Sequence, residues 1–185
     1  MESLSGEQAL IFSQTVEGLF RSLAPMNDEA CARFRSLGVD PRLPLAPAYP
    51  VEQWLQVMRA AAELRHPQLP LSEAMHRLGR TFVDGYGETM IGKAMLAVLR
   101  VMGPRWALDR FRRNLSTGSN FFETSVTERG PREVEVWLNR VTWPEWYFGL
   151  VQRGLEYAGA KNVETSLVAH EGPGKGATIL VKWEH

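Results

Sequence analysis

The spacing of apolar residues changes once along this chain, near residue 120. Before that point apolar positions recur every three or four residues, as at Leu78 and Phe82, which is the period of one helical face. After it they alternate with polar positions, as at Val136 and Leu138, which is the period of a half-buried strand. The pattern therefore predicts an α+β fold. In it, an N-terminal helical bundle of about six helices (residues 1–115) packs on a four-stranded antiparallel sheet formed by a hairpin–helix–hairpin (116–185).

Capping residues divide the helical part into separate helices. Asn27 is a good N-terminal cap and Gly38 a good stop for a helix that should turn Cys31 towards the core. Residues 90–102 carry a wide apolar face and end at a Gly-Pro pair, so we expect this helix to be the most buried one.

Two short segments do not follow the helical period. The apolar run at residues 9–12 fits either an edge strand or the lead into the first helix, and the spacing does not choose between them. Residues 39–50 contain four prolines, which exclude a helix there. We expect this segment to be a strap that docks on the domain through Leu43, Leu45 and Tyr49.

The region between the two hairpins predicts one helix. Thr142 to Glu145 matches a capping box with a proline in the first turn. Gly149 and Gly154 follow inside the helix, where each costs about 1 kcal/mol relative to alanine. We therefore expect another part of the molecule to approach the backbone closely at both glycines.

The sheet carries an apolar patch on the side that should face solvent. Such a patch needs a cover, which is a helix of the same chain, a second subunit or a ligand. By alternation its members are Phe121, Trp137, Val168 and Leu180.

Composition narrows the class of protein. A chain of 185 residues with 44% apolar residues fits a single domain, residues 1–185, that folds around its own core. The 21 basic and 21 acidic side chains cancel, so no overall field favours nucleic acid or an anionic membrane. No apolar run reaches the roughly 18 residues that span a bilayer, and no basic leader is present. With Cys31 as the only cysteine, we expect a cytoplasmic protein without disulfides.

Candidate chemical motifs are weak. Gly87-Glu-Thr-Met-Ile-Gly92-Lys93-Ala94 has the spacing of a phosphate loop, but alanine replaces the metal-binding Ser or Thr and a helical pattern precedes it. The four histidines are scattered without metal-ligand spacing, and no nucleophile with a matching base is visible. The arginines at 105, 110, 112 and 113 fit a solvated helix face better than a nucleic-acid site. We expect no enzyme, no metal site and no nucleic-acid partner.

Several linear motifs resemble a paralogous family of uncharacterised proteins found in myxobacteria. They cover most of the chain: Leu37-Gly-Val-Asp-Pro-Arg42, Ala48-Tyr-Pro50 with Trp54, Leu78-Gly-Arg-Thr-Phe-Val-Asp-Gly-Tyr86, Leu99-Arg-Val-Met-Gly-Pro104 and Arg113-Asn-Leu-Ser-Thr-Gly118. The order of elements also resembles the superfamily that contains haem–nitric-oxide-binding domains, the 4-vinyl reductase small-molecule-binding domain and vesicle-tethering subunits. That architectural likeness rests on Tyr147-Phe-Gly-Leu-Val-Gln-Arg-Gly-Leu-Glu156 and Val181-Lys-Trp183.

The resemblance implies a sensor or signalling module that holds an apolar small molecule between helices and sheet, often as a homodimer. No histidine matches the haem-bearing position of these relatives, so no haem and no other cofactor is predicted, although a single axial histidine would suffice for haem. The alternative is a ligand-free interaction module that dimerises through the outer face of the sheet. We propose that seven residues line a pocket, although ordinary core packing would also explain their spacing. They are Met90, Met95, Met102, Trp106, Phe122, Trp146 and Tyr147.

Overall fold

A computed structural model of the chain describes residues 8–184, except for the side chains of residues 112, 114 and 116. The structure is α+β, as the spacing of apolar residues predicts. Helices α1 to α7 are Ser13–Leu23, Asp28–Ser36, Val51–Arg65, Leu71–Gly87, Met90–Met102, Pro104–Gly118 and Pro144–Tyr157. Strands β1 to β6 are Leu10–Phe12, Ala48–Pro50, Thr124–Gly130, Glu133–Val141, Lys161–His170 and Lys175–Glu184.

The main sheet has the order β3-β4-β6-β5, and all of its neighbouring strands are antiparallel. Val136 pairs with Ile179 and Val134 with Val181, and all four side chains are buried on the face that the helices cover. The predicted alternation of β4 and β6 is therefore confirmed. Because strand neighbours share a face, these pairs form the centre of the sheet's contribution to the core.

The outer face of the sheet carries only part of the predicted apolar patch. Trp137 is 39% exposed and Val168 is 52% exposed, and Leu180 is partly covered. Phe121 does not belong to this face, because β3 begins only at Thr124 and the strand period does not extend back to residue 121. Its ring packs instead beside that of Phe122, with 5.5 Å between the ring centroids.

The run at residues 9–12 forms an edge strand. Ile11 pairs with Tyr49, so the end of the proline-rich strap becomes β2 of a small two-stranded sheet. Tyr49 is buried, and its hydroxyl accepts a hydrogen bond from the Ala46 backbone N–H at 2.8 Å. Leu43 is 63% exposed, so the prediction that it docks is wrong. The strap is held by its pairing with β1, by Tyr49 and by Leu45, which packs against the buried core as predicted.

Helices α4 and α7 cross with their backbones in contact. A Cβ atom at Gly149 would lie 2.8 Å from the Arg80 backbone nitrogen and closer still to the His76 carbonyl oxygen. A Cβ atom at Gly79 would meet the Trp146 carbonyl group in the same way. The close approach predicted at Gly149 is therefore present. At Gly154 it is absent, since no atom would lie within 4 Å of a Cβ there.

Of the two predicted helix caps, the cap of α2 is present and the capping box of α7 is not. The Asn27 side chain accepts a hydrogen bond from the Ala30 backbone N–H at 2.8 Å, so the predicted cap of α2 is confirmed. The predicted capping box before α7 does not form: the N-cap position is Trp143, and no side chain caps it. Pro144 in the first turn begins the helix without that bond.

The prediction that residues 90–102 form the most buried helix is wrong. Only Gly92, Leu96 and Leu99 of α5 are buried, whereas Met90 is 89% and Val101 83% exposed. The helix is apolar around most of its circumference, so the spacing alone does not show which side packs inward. We use the term α5 stripe for its exposed apolar face, which consists of Met90, Ile91, Ala94, Val98, Val101 and Met102.

The buried apolar residues form two clusters. The first joins α1, α2, α3, α4 and the start of α7, with Phe34, Leu19 and Met75 fully buried. The second joins α5, α6, the inner face of the sheet and the rest of α7. In residues 8–184 no helix has both the length and the apolar character needed to cross a bilayer.

Candidate functional site

A cavity of about 370 Å³ lies between the two apolar clusters. Helices α1, α3, α4, α5, α6 and α7 form most of its walls, β1 contributes Ile11, and the main sheet contributes Arg140 near the end of β4. The volume falls within the range of ligand-binding pockets, roughly 300–1,000 Å³. Its aromatic lining is extensive: Trp54, Phe82, Tyr86, Phe111, Phe121, Phe122, Trp143, Trp146 and Tyr147.

Four of the seven proposed pocket residues line this cavity: Met95, Phe122, Trp146 and Tyr147. The other three do not. Met90 and Met102 are exposed on the α5 stripe, because the opposite side of α5 faces inward. Trp106 packs against the second apolar cluster, outside the lining.

Sequence reasoning missed the contribution of the N-terminal elements. Ile11 of β1 and Trp54 and Met58 of α3 all line the cavity, as does Phe82 of α4. These residues sit at ordinary core positions of their own elements, so no local signal marks them as lining. Only the arrangement of the helices brings them to one space.

The cavity extends along most of α6. Ala107, Leu108, Phe111, Leu115 and Gly118 line it at helical spacing. At about 1.5 Å of rise per residue, the span from Ala107 to Gly118 is roughly 16 Å. The start of α6 follows α5, and its end meets β1, where the Asn120 backbone N–H donates to the Leu10 carbonyl at 3.2 Å.

One end of the cavity is apolar and the other is polar. Helix α5 contributes Met95, Leu96 and Leu99 at the apolar end. At the polar end, the Gln14 side-chain amide donates to the Thr117 carbonyl at 2.6 Å, and the Thr15 hydroxyl donates to the Gly118 carbonyl at 3.2 Å. These uncharged groups are therefore satisfied within the protein.

Two charged residues complete the polar end, Arg140 at the end of β4 and Glu52 in the first turn of α3. The Arg140 guanidinium lies over the Phe121 ring, 5.4 Å from its centroid. Among the residues that the structure describes, no carboxylate lies within ion-pair distance of Arg140. Within residues 8–184, the group that lies against its charge is thus the aromatic face of Phe121.

The phenol groups of the two tyrosines in the lining, Tyr86 and Tyr147, stay neutral. Burial raises the pKa of Tyr147 far above its usual range, and burial also raises the pKa of Tyr86, which the charge of Arg110 only partly offsets. Both tyrosines therefore stay protonated and add no negative charge to the lining.

A polar network lies outside the cavity and joins α4 to α7. The Arg153 guanidinium donates to Asp84 at 2.8 Å and to Glu156 at 3.1 Å, and Arg80 donates to Glu156 at 2.8 Å. The Tyr157 hydroxyl donates to Asp84 at 2.7 Å. Every carboxylate in this network has a cationic partner, so it binds the two helices together and leaves no acid free as a base.

Comparison with solved structures shows a shared fold. A single-residue variant of Tt H-NOX has a TM-score of 0.67 at 11% identity, with 95% of this chain and 96% of that chain covered. An Fe(II) unliganded H-NOX variant from K. algicida has a TM-score of 0.63 at 13% identity, covering 93% and 95%. A third structure, described under the modulation of haem redox potential by porphyrin distortion, has a TM-score of 0.62 at 13% identity, covering 92% of each chain.

The residues that line the cavity do not fit a haem. Of the described residues, no histidine or cysteine belongs to the lining. His76 contacts the Gln152 side chain at 2.7 Å and His170 the Val141 carbonyl at 3.0 Å, both elsewhere, and Cys31 is buried on α2.

No curated protein is similar enough in sequence to match this chain. A family model described as "Protein of unknown function (DUF2378)" matches residues 9–184, which is nearly the whole chain. The chain therefore belongs to the DUF2378 family, whose fold in this member is that of the H-NOX domains.

Proposed function

We propose that this protein is a non-enzymatic sensor module that binds an apolar small molecule, other than haem, in the cavity between its two apolar clusters. The observation that carries the proposal is the cavity itself: about 370 Å³ lined mainly by aromatic and aliphatic side chains. Filling such a space with an apolar molecule removes its surface from water at no cost in buried charge. The fold that the chain shares with H-NOX proteins supports the role of a ligand-binding module.

The test measures binding of the neutral fluorescent probe N-phenyl-1-naphthylamine to the purified full chain. We expect its emission to rise on binding. Ala107→Phe places a phenyl ring in the lining and should abolish the rise. The matched control is Ala94→Phe, since Ala94 lies on the α5 stripe and the control reports any probe bound there. Thermal unfolding midpoints confirm that both variants fold.

Equal probe binding by wild type and both variants would contradict the proposal, as would no binding at all. Native mass spectrometry of the protein purified from its own host provides the second measurement, with a retained small molecule as the expected result. Incubation with haemin should give no Soret band characteristic of axial ligation. A sharp Soret band would overturn the conclusion that the ligand is not haem.

The α5 stripe favours a second candidate function, self-association. Its residues are uncharged, and α5 contains no acidic residue. Ala94 and Val98 lie near the middle of the helix, whereas the long side chains Met90 and Met102 lie at its ends. Two antiparallel copies of this face would bring small residues together at the crossing point and pack methionines around it, which is the self-complementarity that a two-fold interface needs.

Light scattering after size-exclusion chromatography tests this candidate. We expect wild type to be a dimer and Val101→Glu to be a monomer, because the charge would be buried in the interface. Val168→Glu is the matched control, since Val168 is also exposed but lies on the outer face of the sheet. A monomeric wild type would refute self-association. Dissociation by Val168→Glu alone would assign the interface to the sheet, as the alternation of β-strand residues suggested.

A further inference from the structure

We propose that the ligand of the cavity is an amphipathic anion: an extended apolar chain that lies along α6 and ends in a carboxylate or similar acidic head group at Arg140. This inference rests on the proposed function and specifies the chemical class of the ligand. Its starting point is the polarity of the cavity, which has apolar residues of α5 at one end and Arg140 at the other.

The length of the cavity along α6 accommodates an extended molecule. A volume of about 370 Å³ is distributed over at least the span from Ala107 to Gly118 of α6. That span is roughly 16 Å, so an extended hydrocarbon chain can lie along it. The apolar walls exclude a charged group from all but the polar end.

Arg140 selects the head group. It is exposed at the rim and stacks on Phe121, and within residues 8–184 no acidic side chain pairs with it. A guanidinium binds a carboxylate through two parallel hydrogen bonds, so an acidic head would give Arg140 the partner that it lacks. Thr142 and Trp143, which precede α7, line the same end, and the positive end of the α7 dipole adds to the field there.

Glu52 is the other charged residue of the lining, and its negative charge would favour a cationic head group instead. It lies in the first turn of α3, where the helix dipole already stabilises its negative charge. Arg140 is next to the last residue of β4, where no helix dipole compensates its charge. The two residues therefore differ in how much each gains from a ligand of opposite charge, and Arg140 gains more.

The test compares three probes that share a ten-carbon chain: decanoate, 1-decanol and decyltrimethylammonium. Binding to the full chain is followed by the fluorescence of the tryptophans in the lining, at probe concentrations below micelle formation. We expect decanoate to bind at least tenfold more tightly than 1-decanol, a difference of about 1.4 kcal/mol. Arg140→Gln should remove this advantage and leave the affinity for 1-decanol unchanged, whereas Arg140→Lys should keep part of it. Because Arg140 is exposed, both variants should fold.

The outcomes separate the two proposals. If all three probes bind equally, or if Arg140→Gln weakens decanoate and 1-decanol to the same extent, the amphipathic-anion inference is wrong and the apolar cavity function stands. Preferred binding of decyltrimethylammonium would assign the head-group site to Glu52 and overturn the inference in the same way. If none of the probes binds and N-phenyl-1-naphthylamine fails as well, both proposals are wrong.

Discussion

The contact between α4 and α7 makes a sharp prediction for Gly149→Ala. The new Cβ atom would lie 2.8 Å from the Arg80 backbone nitrogen, which is about 0.6 Å less than the ordinary contact distance of 3.4 Å. It would lie nearer still to the His76 carbonyl oxygen. Both are backbone atoms of a helix, so no flexible side chain can move aside. Relief requires the helices to separate, which loosens the packing of neighbours such as Leu78 and Leu150.

The size of the effect follows from two opposing contributions. Forcing an extra carbon into a tightly packed contact costs about 1–3 kcal/mol, and backbone contact places this case at the upper end. Replacing glycine by alanine inside a helix returns about 1 kcal/mol. We therefore expect Gly149→Ala to lower the free energy of unfolding by about 2 kcal/mol.

Gly154 provides a control within the same helix. A Cβ atom there would meet nothing within 4 Å, so Gly154→Ala should stabilise the protein by about 0.5–1 kcal/mol. Urea denaturation followed by circular dichroism measures both variants. With an m-value of about 2 kcal/mol per M, their midpoints should differ by more than about 1 M. If Gly149→Ala raised the midpoint as Gly154→Ala does, the proposed backbone contact would be refuted.

Three further predictions follow from the same structure. Asn27→Ala should lower the free energy of unfolding by about 1 kcal/mol, because the cap of α2 is lost; an unchanged urea midpoint would contradict this. Phe34→Ala should cost about 3–5 kcal/mol, since this fully buried ring leaves a cavity, and calorimetry should show a lower melting temperature. For Glu156, burial raises the pKa but hydrogen bonds from Arg80 and Arg153 outweigh it, so the pKa lies below the ordinary 4.5. The ionised Glu156 carboxylate contributes its full stability above pH 4.5, and this contribution is lost as the pH falls through the lowered pKa. Between about pH 5 and pH 3, Glu156→Gln should therefore lose less stability than wild type does. Partial exposure of the side chain keeps this difference modest.

The predictions that succeeded depend on short-range rules. The cap at Asn27 and the alternation of Val134 and Val136 each involve only a few neighbouring residues, so the local sequence determines them. The close approach at Gly149 was also foreseeable, because glycine inside a helix is costly unless another backbone needs the space.

The wrong predictions concern which faces of the helices and of the sheet are buried by other elements. Helix α5 is apolar on most sides, so its sequence is compatible with complete burial or with one exposed face. The positions of α4, α6 and α7 decide between the two. For the same reason Met90 and Met102 were wrongly placed in the cavity. Phe121 was assigned to the sheet because the start of β3 is three residues later than alternation indicated.

The candidate cavity was predictable only in part, since its walls come from residues far apart in the chain. Ile11 and Leu155 both line it although 144 positions separate them. Local spacing carries no information on such a meeting. Arg140 was likewise invisible as a ligand group, because its lack of an acidic partner is a property of the folded molecule.

The glycine-mediated contact also determines how the protein would accommodate a bulky guest. On one side of the cavity the walls are α4 and α7, whose backbones are in direct contact at Gly79 and Gly149. On the other side are α5 and α6, and no other element of the same chain covers much of the outer surface of α5 within residues 8–184. Swelling of the interior would thus displace the α5–α6 hairpin outward and leave the α4–α7 pair as a fixed frame. Amide hydrogen exchange would reveal this as faster exchange confined to residues 90–118 when the guest is larger than the empty space.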